Sequence, residues 1–299
     1  MENTAKSVEL SDVKQTLKKE QRKLFFRRLR SNRLMVTGGI TILFLSLLAL
    51  FGPYVLSGDP LEMEVSQRLQ PMSKEHWLGT DEFGRDLLTR IVHGAKVTMG
   101  VGLSVALISS FIGMVVGLYA SYYRTLDHIL MRISDGLMAI PGILLAIALM
   151  AALGPNTRNV VIALSIVFVP VIARVIRSAA IVVREQTYIE AMRAQGASSF
   201  RIIWGHIMPN TISPLVVQAT FVFADAIITE AALSFLGAGV PAPYPSWGNI
   251  LYDGKLVIFN AWWMTVFPGI MIILAVLGLN LLGDGLRDLI DPHVNQAKK

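Results

Sequence analysis

VTMGVGLSVALISSFIGMVVGLYASYY, residues 97–123, contains no Asp, Glu, Lys or Arg. A hydrocarbon core about 30 Å thick needs roughly 20 apolar residues of helix, so this stretch is long enough to cross a bilayer. The same holds for residues 34–56, 136–157 and 256–283, which also lack acidic and basic side chains. Residues 211–240 are interrupted only by Asp225 and Glu230. Residues 159–173 are shorter, and Arg174 and Arg177 are placed to snorkel from their end. The expected fold is therefore an all-α integral membrane protein with six transmembrane helices. With 53% hydrophobic and only 16% charged residues, the chain has too little polar surface to enclose six helices that are apolar on every side.

Lys and Arg set the expected orientation. Residues 14–33, KQTLKKEQRKLFFRRLRSNR, carry nine basic residues and one acid. The positive-inside rule puts this end in the cytoplasm, and an even number of spans returns the C-terminus there. Acids outnumber bases over residues 57–93, which then lie outside. The net charge of +6 is read as orientation in a membrane and not as affinity for nucleic acid. Val13, Leu17, Leu24, Phe25 and Leu29 fall near one side of a helix. The N-terminal segment reads as an amphipathic helix on the inner membrane surface, or as a basic tail.

Several chemistries are excluded by what is missing. There is no cysteine for disulfides, thiolate metal sites or redox chemistry. No phosphate loop, HExxH motif or nucleophile elbow occurs. The five histidines have no ligand-like spacing, so no catalytic residue and no metal site is expected. Asp225 and Glu230 are the clear intramembrane acids. They stand about 140° apart around a helix at 3.6 residues per turn. They are candidates for interhelix packing, for lining a pathway, or for a proton relay. Gly113 and Gly117 form a GxxxG that would let two helices approach closely.

The polar stretch YIEAMRAQGASSFRIIWGHIMPN, residues 188–210, interrupts this apolar pattern. Tyr188, Ile189, Ala191 and Met192 begin a short amphipathic helix, Gly196 stops it, and Ser198 is a candidate N-cap for the next. Pro209 and Asn210 then open the fifth span. A cytoplasmic helix–glycine–helix makes a docking surface, and by composition alone an ordinary loop is an equal reading.

Four motifs carry a family resemblance. Glu190-Ala191-Met192, Gly196 and Ile207-Met208-Pro209 resemble the EAA loop of ABC importer permeases, with Met192 and Met208 where alanine and leucine are usual. HWLGTDEFGRDLLTRIVHGAKVT, residues 76–98, resembles an extracytoplasmic signature of the C-type permease of peptide and nickel importers. Here Trp77, Thr89 and Lys96 replace the usual proline, serine and arginine. EAALSFLGAGVPAPYPSWGNIL (230–251) and LNLLGDGLRDLIDPH (279–293) resemble two further stretches of that family, so the resemblance runs from about residue 20 to 295.

The resemblance implies a type I ABC importer transmembrane fold in a bacterial or archaeal cytoplasmic membrane. It implies a heterodimer with a B-type permease, two ATPase subunits holding ATP and Mg, and an extracytoplasmic substrate-binding protein. It implies di- or oligopeptides as substrate, with glutathione and nickel complexes as alternatives, and no catalysis by this chain. Glu190, Ala191, Gly196, Ala197, Ile207 and Pro209 are the implied ATPase-coupling residues. Gly79, Asp81, Gly84, Arg85 and Asp86 are the implied extracytoplasmic signature. Leu87, Ile91 and Val92 give helical spacing to residues 86–97, expected as a helix along the outer surface, either near a docking site or as a structural elbow. The resulting organisation is a basic segment over 1–33, a first span over 34–56, an extracytoplasmic loop over 57–93, a five-helix core over 94–285 with a coupling loop over about 184–209, and a tail over 286–299. The rival reading is a proton-coupled carrier or channel built on Asp225 and Glu230.

Overall fold

The computed structural model describes residues 31–56 and 58–290, together with Glu20, Arg27 and Leu29. The amphipathic face expected around Val13, Leu17, Leu24 and Phe25 lies outside the described residues, as do residues 291–299. The described chain is helical: α1 (Arg33–Val55), α2 (Leu87–Tyr122), α3 (Arg124–Met138), α4 (Gly142–Leu153), α5 (Thr157–Arg184), α6 (Thr187–Ala194), α7 (Ser199–Ile202), α8 (Met208–Phe235), α9 (Trp247–Leu256) and α10 (Trp263–Ile290). Residues 203–207 form a π-helical turn that joins α7 to α8. Among the described residues, five helices are long and apolar enough to span a bilayer, or six if α3 and α4 count together as one bent span.

α2 and α5 form the centre of the bundle, and small residues bring them together. A Cβ on Gly117 would lie 2.6 Å from the carbonyl oxygen of Ala173, and one on Gly113 would lie 2.8 Å from Ile172. The GxxxG is thus a real helix contact, of the kind that dispersion between closely spaced backbones stabilises where lipid offers no hydrophobic driving force. Leu118, Leu164, Ile172 and Ile176 fill the space beside it, all fully buried. α1 packs on α10 and α2, and exposes Ile40, Leu43, Phe44, Leu47, Leu50 and Phe51 along its other side. An exposed stripe of that length suits lipid and not water.

The helix boundaries correct four expectations. The apolar run 136–157 is not one straight span. α3 and α4 meet at 92°, and α4 has 12 residues, about 18 Å of helix, well short of a bilayer core. Pro141 is the cause. It has no N–H to continue the ladder of α3, and its carbonyl instead starts α4 by accepting from Leu144 and Leu145 at 2.9 and 3.1 Å. The outer-surface helix expected over 86–97 is not separate, because α2 runs unbroken from Leu87 to Tyr122. Asp86 caps it, its Oδ2 accepting from the Thr89 N–H at 2.8 Å. α5 extends to Arg184, so Arg174 and Arg177 lie inside a helix and do not snorkel from its end. The run from Leu256 is also broken: Leu256 closes α9, and the last long apolar helix starts at Trp263.

Candidate functional site

The polar segment between α5 and α8 folds as a helical hairpin. α6 ends in a Schellman motif: the Ala197 N–H donates to the Met192 carbonyl and the Gly196 N–H to the Arg193 carbonyl, each at 3.0 Å. Gly196 has φ +78°, a left-handed conformation that a side chain disfavours, although a Cβ there would meet nothing within 4 Å. The Ser198 hydroxyl accepts from the Arg201 N–H at 3.4 Å and caps the next helix.

Two faces of the hairpin differ. Ile189, Ile202, Ile203 and Ile207 are buried and fasten it to the bundle. Arg193 lies over the Tyr122 ring at 4.9 Å, and the Trp204 indole N–H donates to the Tyr119 hydroxyl at 3.4 Å, so the hairpin also grips the end of α2. Tyr188, Glu190, Ala191, Gly196, Phe200 and Pro209 are exposed. Of the expected coupling residues, Glu190, Ala191, Gly196 and Pro209 are therefore open, Ala197 is half-buried, and Ile207 is core.

The GTDEFGRD segment makes a second constellation. Gly79 and Gly84 have φ +82° and +76° and form its turns. Asp81 is buried; its Oδ1 accepts from the Phe83 and Arg85 N–H groups at 2.8 and 3.0 Å, and its Oδ2 pairs with Arg85 Nε at 2.6 Å. Arg90 Nε stands 3.3 Å from the same oxygen. Asp253 on α9 completes the cluster, 3.7 Å from Arg85 and 3.6 Å from Arg90. Burial pushes the Asp253 carboxyl above its ordinary range, against the pull of Arg90 and Arg85. Asp86 serves as the α2 cap and meets His76 Nδ1 at 3.1 Å. Arg90 and Asp253 were not among the expected residues. Asp253 is 163 positions from Arg90 along the chain, and no local pattern joins them.

Asp225 and Glu230 do not come together. Glu230 is fully buried, and its Oε1 accepts from the Ser234 hydroxyl at 2.8 Å. The hydroxyls of Thr98 and Ser246 also face the carboxyl, yet its Oε2 has no well-formed hydrogen bond. Asp225 is exposed on another side of α8.

A third constellation escaped the sequence reading. Asp127, His128, Met131, Arg132 and Asp135 of α3 face Arg174 and Arg177 of α5 across a groove of about 490 Å³. Arg177 grips Asp127 with two parallel bonds of 2.5 and 2.6 Å, and Arg174 meets Asp135 at 2.5 Å. Arg132 and His128 make no hydrogen bond or ion pair among the described residues. The signal was present as charges spaced four and eight apart on α3, but it sat beside an apolar run that drew the span elsewhere.

Residues 109–296 match the family of binding-protein-dependent transport system inner membrane components, and residues 20–71 match the N-terminal TM domain of oligopeptide transport permease C. This chain belongs to that inner membrane component family. The permease is 47% identical to the dipeptide transport system permease protein of Alkalihalophilus pseudofirmus over 90% of its own length and 89% of that protein's. It is 40% identical to the glutathione transport system permease protein of Pectobacterium atrosepticum, over 90% of each. In fold it is similar to a chain of the MetNI methionine ABC transporter, solved in inward-facing conformations, with a TM-score of 0.56 at 24% identity. That match covers 74% of the permease and all of the other chain.

Proposed function

We propose that this permease carries di- or oligopeptides across a cytoplasmic membrane as one transmembrane subunit of an ATP-driven importer. It pairs with a second, B-type permease, receives substrate from an extracytoplasmic binding protein, and is driven by two ATPase subunits that hold ATP and Mg. The observation that carries the reading is the hairpin of residues 187–207. One face is locked into the bundle by four buried isoleucines and the other is open, with Glu190 near the N-terminus of α6 where a negative charge suits the helix dipole. The hairpin continues through the π-helical turn into α8, so a push on it moves a span. Both chain ends then lie in the cytoplasm, and the Asp81–Arg85–Arg90–Asp253 cluster lies outside, where it braces the segment before α2 against α9.

The chemistry of transport belongs to the assembly. Closure of the ATPases draws the hairpins together, and the spans switch between two packings that ATP and the loaded binding protein bias. Relatives named for peptides and for glutathione support a small peptide as substrate, and dipeptides are the leading class. Affinity isolation of the tagged chain from gently solubilised native membranes tests the reading. Recovery of a second permease and of ATPases with phosphate loops is the expected result. A chain that comes out alone, and transports when expressed alone in response to a proton gradient, would establish the carrier alternative.

A further inference from the structure

We propose that the groove between α3 and α5 is the cytoplasmic half of the substrate route, where the carboxylates and guanidinium groups of this chain receive the two charged ends of a peptide. The inference rests on the importer reading above and assigns it a site. Arg174 lies ten residues before the end of α5 at Arg184, about 15 Å along the axis, within a helix long and apolar enough to span a bilayer. Yet its charges are open: Arg174 is 46% exposed and Asp135 is 51% exposed. Lipid does not accept an exposed ion pair at that depth, so the groove faces water or another protein surface.

Its chemistry suits a zwitterion. Both signs are present, and the Asp127–Arg177 and Asp135–Arg174 pairs are offset by eight residues on α3, about 12 Å. An extended tripeptide spans about 10 Å. Arg132 lies between the pairs with its guanidinium uncommitted, a ready partner for a terminal carboxylate, while the half-exposed Asp135 suits an ammonium group. Because paired charges nearly cancel, such a surface holds a peptide's ends weakly enough to release them.

The absence of cysteine makes the test direct, since a single introduced thiol is unique in this chain. The complete complex, with the other subunits made cysteine-free, is reconstituted in proteoliposomes with the ATPases facing outward and the binding protein and radiolabelled dipeptide inside. Arg132→Cys and Met131→Cys are exposed to a membrane-impermeant methanethiosulfonate from outside. The expected result is reaction at both positions, ATP-driven dipeptide release already weak in Arg132→Cys and lost on reaction in Met131→Cys, and at least a ten-fold slower reaction after trapping with vanadate. Arg132→Lys should transport, which would show that a cation and not the fold is needed. Thiols that never react would mean that a partner subunit covers the groove. Thiols protected only until anionic lipid is stripped would mean a lipid headgroup site. Reaction without effect on transport would mean a surface off the route. Each of these overturns the inference. If the unmodified complex releases no dipeptide with ATP, the importer reading itself fails, which separates the two.

Discussion

Gly117 and Ala173 hold the two central helices of the bundle in backbone contact, with 2.6 Å left between the carbonyl oxygen of Ala173 and the place a Cβ would occupy. No side chain fits there unless α2 and α5 separate. Gly117→Leu is expected to cost about 1–3 kcal/mol or more through overpacking and to lower the amount of folded permease in the membrane. Gly100→Ala, at a helical position where a Cβ meets nothing within 4 Å, should leave it unchanged. Quantitative membrane blots and thermal melts in detergent check the pair.

Gly196 tests backbone against side chain. Its Cβ position is empty space, so substitution acts through φ alone. Gly196→Asn, which tolerates the left-handed region, should retain most transport. Gly196→Val should abolish the Schellman turn, at about 1–2 kcal/mol, and weaken ATPase recovery while the chain stays in the membrane. Equal transport by both variants would remove the hairpin from the coupling assignment.

Asp81 and Asp253 belong to one ion cluster but should respond differently. Removing the buried Asp81 charge leaves Arg85 and Arg90 with only the more distant Asp253, and breaking a buried pair typically costs about 3–5 kcal/mol. Asp81→Asn is therefore expected to destabilise the complex severely and Asp253→Asn only mildly.

Asp253 also gives a pH dependence with a definite sign. Its folded-state proton affinity is raised by burial, so its contribution to stability falls as pH rises from the ordinary carboxylate range through the raised value. Asp253→Asn should flatten that part of the stability profile. Melting temperatures of both proteins between acid and neutral pH provide the check.

Glu230→Gln discriminates the importer from the carrier. Glutamine retains the acceptor for the Ser234 hydroxyl, so folding and ATP-driven transport should change little. A proton carrier using Glu230 would lose its response to a proton gradient. Transport by the Gln variant with and without an imposed gradient decides between them.

The local events of the chain were legible because they depend on near neighbours. Gly196 as a helix stop and Ser198 as a cap follow from φ preferences and side-chain reach over a few residues. Apolar runs marked where helices lie, but not where they begin. Charge alone set the limits there, and Thr157, Leu87 and Arg184 extend α2 and α5 past it because helix hydrogen bonds are indifferent to side-chain polarity.

What joins distant parts was decided by tertiary structure. Asp127 and Arg177 are 50 positions apart, Arg90 and Asp253 still further, and their pairing depends on which helices touch. The sequence by itself determined that the chain belongs in a membrane, where its helices lie and how its polar hairpin turns, since these rest on the free energy of burying or exposing each residue and its neighbours. Only the packing decided that Asp225 and Glu230 serve separate surroundings, and that a charged groove opens between α3 and α5. Those outcomes depend on distances between elements, and a linear pattern carries no information about which surface a charge will meet.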